Sequence, residues 1–214
     1  MSAERTRIKI CGISEPLHAR VAADAGADAI GLVFYKPSPR YVSPAQAARI
    51  VAELPPFVMA VGLFVDATAD EVNAVLRVVA LDLLQFHGNE SPEFCEQFGV
   101  AYVRAVRMEK GIDLIEYARR FSRAKALLLD AHVPGTPGGT GTMFDWGSIP
   151  RDVRMPLILS GGLTTDNVAR AVREVKPWAV DVSSGVEASR GSKDPAKIVD
   201  FIRSVRSEDA TSSR

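Results

Sequence analysis

Two residues whose side chains can exchange protons end apolar runs that are typical of buried strands. Cys11 ends the run 8–11, and Asp130 ends the run 126–130. A cysteine thiolate is a base and a nucleophile, and a buried carboxyl group is an acid or a base. Each residue also has a structural interpretation, because free cysteine is often a small buried hydrophobe and an aspartate can anchor the next loop. The spacing alone leaves both interpretations open.

Glycine and serine clusters close two later apolar runs. These clusters are Gly161-Gly162 and Ser183-Ser184-Gly185. Glycine lets the backbone approach a ligand closely, and backbone N–H groups bind anions. In barrels of alternating strands and helices, the loops after the seventh and eighth strands are the recurrent phosphate site. The clusters therefore favour a phosphorylated ligand, with ordinary turns as the alternative.

Asp181 and His87 are further candidates for the same site. Asp181 lies inside the run 179–183, where a charged side chain needs a partner, so it faces the site or belongs to a structural network. His87 follows the run 82–86 and could reach the same rim. The His, Cys, Asp and Glu residues have no metal-ligand spacing, so we expect no metal.

Other residues of these types have structural interpretations. We expect Asp66, which precedes a helix cap, to have a structural role, Cys95 to pack in the core and His18 to lie at the surface of the first helix. The glycine-rich loop 134–142, which follows His132, has no lysine after its glycines and is therefore not an NTPase phosphate loop. We interpret it as a mobile lid, with a long flexible connection as the alternative.

Short apolar runs that alternate with segments of helical period must position these residues. Several of these runs are rich in Val, Ile and Leu and do not strictly alternate apolar with polar residues, which is typical of parallel strands covered on both faces. A closed (β/α)8 barrel and an open doubly wound sheet both fit eight strand–helix units. The barrel is favoured, because an open sheet of eight strands is usually longer and the first turn has no dinucleotide fingerprint. The eight runs are 8–11, 28–34, 57–65, 82–86, 102–106, 126–130, 156–160 and 179–183.

Several helices have recognisable starts. A capping residue precedes proline at Ser43-Pro44, Ser91-Pro92 and Asp194-Pro195, and capping-box patterns join Ser43 to Gln46 and Thr68 to Glu71. In the first helix, Leu17, Val21 and Ala25 predict the buried stripe, and Gly26 predicts the end.

The composition is that of one globular domain. The 214 residues have 26 basic and 26 acidic side chains, which excludes a strongly basic nucleic-acid binder. The two cysteines form no disulfide framework, and no apolar run is long enough to span a membrane. No secretory signal is evident, so we expect a cytoplasmic protein. We expect residues 1–206 to form the barrel and the polar tail 207–214 to fray.

The motifs in their order resemble the phosphoribosylanthranilate isomerase family of tryptophan biosynthesis. No single motif is decisive, but the resemblance extends from about residue 8 to residue 203. It rests on Lys9-Ile10-Cys11-Gly12, Gly31-Leu32-Val33-Phe34, Ser38-Pro39-Arg40-Tyr41-Val42, Val61-Gly62-Leu63-Phe64-Val65, Gln85-Phe86-His87-Gly88, Leu129-Asp130, Gly138-Gly139-Thr140-Gly141, Ser160-Gly161-Gly162-Leu163 and Asp181-Val182-Ser183-Ser184-Gly185-Val186-Glu187.

The resemblance implies an Amadori rearrangement without a cofactor. Asp130 then acts as the general acid that opens the furanose ring, and Cys11 as the general base at C2 of the sugar. Asp130 must keep its proton near neutral pH. Cys11 can serve as the base if its pKa falls toward 7, which neighbouring positive charge, in part that of the iminium ion formed by ring opening, would favour. Arg40 matches an arginine near the anthranilate carboxylate. We predict that His87 and Asp181 also contact the substrate.

Two other functions remain as alternatives. The related isomerase of histidine biosynthesis is expected to have an aspartate at the end of its first strand and a second phosphate site, whereas this chain has Cys11 there. A silent ligand-binding barrel would have no need of both Cys11 and Asp130. The sequence leaves open whether the chain is a monomer or a homodimer.

Overall fold

The computed structural model of the chain describes residues 5–109, 111–131 and 144–212. Eight parallel strands form a closed barrel in chain order, and β1 pairs with β8 to close it. This confirms the predicted (β/α)8 barrel, and each strand ends within two residues of its predicted limits. The strands are β1 (Arg7–Cys11), β2 (Ala29–Val33), β3 (Met59–Phe64), β4 (Leu83–Phe86), β5 (Tyr102–Met108), β6 (Leu127–Ala131), β7 (Leu157–Leu159) and β8 (Ala179–Val182).

Seven α-helices are present among the described residues. They are α1 (Pro16–Ala25), α2 (Pro44–Val51), α3 (Ala69–Leu76), α4 (Pro92–Glu96), α5 (Leu114–Arg120), α6 (Val168–Val175) and α7 (Pro195–Ser212). A two-stranded hairpin of β9 (Glu187–Ser189) and β10 (Ser192–Lys193) precedes α7. Between β6 and β7, residues 144–156 contain only the 3-10 turn Trp146–Ser148. The expected helix after the sixth strand is therefore not found in the described part of the chain, and the predicted lid 134–142 and His132 lie outside it.

The helix starts follow local capping chemistry. Thr68 and Glu71 form the predicted capping box, and Ser43 accepts a hydrogen bond from the Gln46 backbone N–H. The second capping box is wrong, because the Gln46 side chain instead donates to the Ser14 carbonyl at 2.7 Å. The predicted caps Ser91 and Asp194 are confirmed by hydrogen bonds from the first helical turn.

The buried face of α1 differs from the predicted one. Leu17 is 51% exposed, whereas His18 is buried. The surface position expected for His18 is therefore wrong, and so is the burial expected for Leu17, whereas Val21 and Ala25 pack against the core as predicted. The small side chains of Ala19 and Ala22 let α1 pack closely on its neighbours, so residue size outweighs hydrophobicity here. The helix ends as predicted at Gly26, which adopts a φ of 101°.

The C-terminal helix continues into the segment expected to fray. Residues 207–212 belong to α7, so the prediction of a frayed tail from residue 207 is wrong for this part. Asp209 accepts hydrogen bonds from the backbone N–H and hydroxyl of Thr6, and Glu208 forms two hydrogen bonds with Arg173. These contacts join the end of α7 to α6 and to the residue before β1. They hold in place a polar segment whose composition alone predicted fraying.

The core has an outer and an inner layer. The outer layer lies between the strands and the helices and includes Ile8, Ile10 and Ile30. Inside the barrel, a cluster of Val103, Ala105, Ala126, Leu128, Ile158 and Ala179 alternates along the strands with outer residues. Toward the carboxyl ends of the strands the inner positions become polar. No helix of the described residues is long and apolar enough to cross a membrane.

Candidate active site

A cavity of about 780 Å³ opens at the carboxyl ends of the barrel strands. Barrel enzymes carry their active sites at this end. The structure brings together nearly all of the predicted site residues there. Those that line the cavity are Cys11, Arg40, His87, Asp130, Gly161, Gly162, Asp181, Ser183 and Ser184, whereas Gly185 packs behind it.

Cys11 is the last residue of β1 and is 5% exposed. Burial raises the pKa of its thiol, and the Asp181 carboxylate raises it further, while the ammonium groups of Lys9 and Lys193 lower it. The pKa of Cys11 therefore lies above its ordinary value, because the cost of a buried thiolate exceeds the attraction of the two cations. Without substrate, the two ammonium groups therefore do not by themselves bring this pKa toward 7.

Lys9 and Asp181 form an ion pair deeper in the barrel than Cys11. Lys9 Nζ lies 2.7 Å from Asp181 Oδ1, and the Ser160 hydroxyl donates to Asp181 Oδ2 at 3.3 Å. Burial lowers the pKa of Lys9, but Asp181 and Cys11 together raise it more, so the amine is an ammonium ion. Asp181 therefore fulfils both roles that the sequence left open, since it lines the cavity and belongs to a buried network.

Asp130 is fixed through both carboxyl oxygens. His87 Nε2 lies 3.1 Å from Asp130 Oδ2, and the Ala131 backbone N–H donates to Oδ1 at 3.0 Å. Gln85 Nε2 lies 3.1 Å from His87 Nδ1. With the Gln85 amide donating to Nδ1, His87 carries its proton on Nε2 and donates it to Asp130. His87 thus reaches the rim, as predicted, and orients the carboxyl group.

Arg40 is anchored by a carboxylate from β9. Its Nε and Nη2 atoms lie 2.6 and 3.0 Å from the two carboxylate oxygens of Glu187. Lys193 Nζ lies 2.9 Å from Glu187 Oε1. Although burial raises the pKa of Glu187, Arg40 and Lys193 lower it more, so this carboxyl group is ionised. The bidentate pair holds the guanidinium at the cavity wall.

The loops after β7 and β8 pack against each other through glycine. Gly161 and Gly162 have φ angles of 79° and 68°, which residues other than glycine rarely adopt. A Cβ added at Gly185 would lie 1.9 Å from the Leu163 carbonyl oxygen, so only glycine allows this approach. Gly161, Gly162, Ser183 and Ser184 therefore present main chain and hydroxyl groups to one part of the cavity.

Another buried ion pair supports the loop that carries His87. Arg104 lies 2.8 Å from Glu90 and donates to the Gly88 carbonyl at 2.7 Å. Glu90 also accepts from the backbone N–H groups of Gly88 and Asp66. The Asp66 carboxylate in turn accepts from residue 89, which confirms its expected structural role. This network fixes the chain on both sides of His87.

Sequence reasoning missed four members of the site network. Lys9 could have been found, because a lysine two residues before Cys11 in an apolar strand points to the same face of the strand as Cys11. Gln85 had the same relation to His87. Glu187 and Lys193 gave no local signal, since their positions depend on the hairpin that folds back over β8.

A carboxyl group, a thiol and glycine-rich loops around one polar cavity at the carboxyl ends of the strands are typical of a (β/α)8-barrel enzyme that acts on a small substrate. Among the described residues, no His, Cys, Asp and Glu cluster could hold a metal ion.

Comparison with known proteins identifies the family. Residues 8–204 match the family model described as N-(5'phosphoribosyl)anthranilate (PRA) isomerase. The chain is 54% identical over 199 residues to the N-(5'-phosphoribosyl)anthranilate isomerase of Nitrosospira multiformis, covering 93% of this chain and 96% of the relative. It is 55% identical over 203 residues to that of Nitrosococcus oceani, covering 95% and 98%. The chain belongs to this isomerase family of tryptophan biosynthesis.

Solved structures agree with the sequence comparison. The phosphoribosyl anthranilate isomerase from Thermotoga maritima superposes with a TM-score of 0.86 at 41% identity, covering 94% of this chain and 99% of that one. A phosphoribosyl anthranilate isomerase in complex with reduced 1-(o-carboxyphenylamino)-1-deoxyribulose 5-phosphate superposes with a TM-score of 0.83 at 40% identity, with the same coverage.

Proposed function

We propose that this chain catalyses the Amadori rearrangement of N-(5'-phosphoribosyl)anthranilate, with Asp130 as the general acid and Cys11 as the general base. The observation that carries the proposal is that these two groups, from β6 and β1, line one cavity together with the glycine-rich loops after β7 and β8. A barrel that only bound a phosphorylated ligand would have no use for an acid and a base around the same space. The histidine-pathway alternative is disfavoured, because β1 ends in cysteine.

The reaction moves electrons within the substrate and needs no external cofactor. Asp130 donates its proton to the furanose ring oxygen, the C1–O bond breaks, and the anthranilate nitrogen lone pair forms the C1=N bond of an iminium ion. The Cys11 thiolate removes the proton from C2, the C–H pair forms C1=C2, and the C=N pair returns to nitrogen. The enolamine then takes a proton at C1 and loses one from the C2 hydroxyl. C2 is oxidised to the ketone and C1 is reduced.

The substrate's two anionic groups fit two different walls. The phosphate fits the loops of Gly161, Gly162, Ser183 and Ser184, where backbone N–H groups can approach it closely. The carboxylate fits Arg40, whose Nη1 is engaged by neither oxygen of Glu187. Binding both ends orients the sugar between Cys11 and Asp130.

Turnover of freshly generated substrate, followed by the loss of anthranilate-type fluorescence, tests this function. We expect Cys11→Ser and Asp130→Asn each to lower kcat at least about 100-fold, the usual effect of losing a general base or acid. Cys95→Ala and Asp200→Asn are matched controls, because Cys95 is buried in the core and Asp200 pairs with Arg203 at the surface. Full activity in Cys11→Ser would remove the thiol from the base role. Absence of wild-type turnover with retained phosphate-ester binding would favour a silent barrel.

We also infer that the chain is a homodimer rather than a monomer. Phe57 is fully exposed and adopts a φ of 72°, which is strained for an aromatic residue. Met59 is 40% and Trp178 43% exposed, and all three precede or begin strands at the end of the barrel opposite the cavity. A related crystal structure shows monomers generated from the dimeric isomerase of Thermotoga maritima. An apolar face of this kind is typical of a subunit interface.

The compartment stays a prediction. Cys11 and Cys95 are both free thiols in the structure. Free thiols, together with a biosynthetic reaction on a phosphorylated metabolite, support the cytoplasm as the location.

A further inference from the structure

Lys9 is a buried ammonium group that the mechanism above does not use. It lies two residues before Cys11 on β1, and side chains two apart on a strand share a face, so both side chains face the barrel interior. Lys9 is 6% exposed, and its ion pair with Asp181 holds Nζ at this depth. Lysine is rarely buried to this extent unless an ion pair offsets its lost hydration.

The neighbouring strand shows how close Lys9 and Cys11 are. Gly31 on β2 lies opposite Cys11 in the register of the barrel. A Cβ added at Gly31 would lie 2.7 Å from Cys11 Sγ and 3.1 Å from Lys9 Nζ. The Cys11 sulfur and the Lys9 ammonium group therefore both lie next to Gly31, and they fit there because Gly31 has no side chain. Lys9 thus places a positive charge beside the Cys11 sulfur.

The charges around the Cys11 sulfur have opposing effects. Burial disfavours the thiolate, and so does the Asp181 carboxylate from β8, while the ammonium groups of Lys9 and Lys193 favour it. Lys9 Nζ and the Cys11 sulfur both lie next to Gly31, so the charge of Lys9 acts at short range. The other titratable or charged groups that line the cavity are Tyr35, Arg40, His87, Asp130, Glu187 and Arg190.

We propose that Lys9 is a positioning residue for the reaction, which supplies beside the Cys11 sulfur the positive charge that its thiolate needs. Asp181 keeps the amine protonated and fixes its place, so that Lys9 itself does not act as the base. This rests on the proposed role of Cys11 and adds to it the source of the charge. The iminium ion adds its positive charge only after the ring has opened, whereas Lys9 is in place before.

Lys9 and Asp181 must then shift the pKa of the Cys11 thiol in opposite directions. Removing the ammonium removes an attraction for the thiolate and raises the pKa of Cys11, whereas neutralising Asp181 removes a repulsion and lowers it. A merely structural ion pair would give the same direction in both variants, because either loss would loosen the same part of the barrel. The opposite signs are the distinguishing feature.

Alkylation of Cys11 by iodoacetamide measures the thiolate without substrate. The rate is followed between about pH 6 and 11 in a Cys95→Ala background, with mass spectrometry to identify the modified residue. We expect Lys9→Met to lower the rate about tenfold at pH 8, which corresponds to a pKa raised by about one unit. Asp181→Asn should increase the rate, and Lys9→Arg, which keeps the charge, should restore most of the wild-type profile.

Two results would overturn the proposal: an unchanged profile in Lys9→Met, or shifts in the same direction in Lys9→Met and Asp181→Asn. If Lys9→Met does not fold, the double variant Lys9→Met/Asp181→Asn removes both charges together. In that case a rate equal to that of Asp181→Asn at every pH contradicts a role for Lys9, whereas a rate clearly below that of Asp181→Asn supports it.

The same variants separate this proposal from the proposed function. Alkylation of the thiol reports the thiolate whether or not the protein turns over its substrate. Wild-type turnover with an alkylation profile indifferent to Lys9 rejects the role of Lys9 and leaves Cys11 as the base. A Lys9-dependent profile in a protein without isomerase activity supports the charge effect and rejects the function.

Discussion

At the residue scale, the thiol of Cys11 must ionise while the carboxyl group of Asp130 must keep its proton. Carboxyl groups ordinarily titrate well below thiols, so the form of the enzyme with both a thiolate and a carboxylic acid is a minor one. Between the two titrations its fraction is constant, because each gain in thiolate is offset by a loss of carboxylic acid. Above the pKa of the thiol, the carboxylic acid continues to decrease and the active form disappears.

The pH profile of kcat/KM should therefore have a broad plateau whose alkaline limb belongs to Cys11. Burial raises the pKa of this thiol, so the limb should lie above about pH 8.5, the ordinary thiol value. Activity should be retained below this limb and lost as pH rises through it. Initial rates measured across the pH range check this, and an alkaline limb at or below the ordinary thiol value would contradict it.

His87 can be assigned by how its loss divides between kcat and KM. His87→Asn removes the Nε2–H that lies 3.1 Å from Asp130 Oδ2. A hydrogen bond to a developing carboxylate contributes about 1.5–3 kcal/mol, so we expect kcat to fall about 10- to 100-fold with KM little changed. Steady-state kinetics on the purified variant provide the measurement. A raised KM with unchanged kcat would instead make His87 a substrate-binding residue.

At the scale of elements, the site depends on how closely the loops after β7 and β8 approach each other. The contact is between Gly185 and the carbonyl of Leu163, and no side chain fits between them. The loop after β4 is fixed differently, through the buried ion pair of Arg104 and Glu90. Main-chain packing thus shapes the predicted phosphate wall, whereas charged side chains hold the loop of His87.

Gly185→Ala should separate the two loops and weaken phosphate binding. The added Cβ would lie 1.9 Å from the Leu163 carbonyl oxygen, so the backbone must move. We expect KM, and the inhibition constant of inorganic phosphate, to rise at least about tenfold, the equivalent of one or two lost hydrogen bonds to an anion. Gly26→Ala is the control, since its φ of 101° makes it strained while its Cβ would meet open space. The control should lose stability and keep KM, and equal KM values in both variants would contradict the prediction.

At the scale of the whole molecule, the two ends of the barrel have different character. The end with the cavity is polar, whereas the opposite end exposes Phe57, Met59 and Trp178. Arg7 covers part of Trp178 at 4.7 Å from the ring centroid. Phe57 has no such cover, which makes it the best candidate for a residue buried by a second copy of the chain.

Replacing Phe57 should therefore shift the oligomeric state. We expect Phe57→Ser to be a monomer at concentrations where the wild type is a dimer, because burying an aromatic side chain contributes about 1.5–3 kcal/mol in each subunit. Sedimentation or light scattering measures this. Leu17→Ser is the control, since Leu17 is 51% exposed on α1, which begins at the cavity end. A wild type that stays monomeric at high concentration, or a dimer that persists in Phe57→Ser, would refute the interface.

The sequence by itself determined the features that depend on a few neighbouring residues. The β runs and caps predicted all eight strands and most helix starts, because strand propensity and capping act within one turn or a few residues. The order of the strands then placed Cys11 and Asp130 at the same end of a barrel, since parallel strands share their carboxyl edge. These were sufficient to predict that Cys11 and Asp130 line the same cavity.

Only the tertiary structure decided what lies across from what. Barrel closure sets Lys9 against Asp181, which are 172 positions apart, and the hairpin after β8 brings Glu187 to Arg40 across 147 positions. Tertiary packing also buries His18 and extends α7 past residue 207, whereas the local composition predicted a surface histidine and a frayed tail. The direction of the Cys11 pKa was also decided here, because the dielectric environment and the charges of a buried group come from every strand around it.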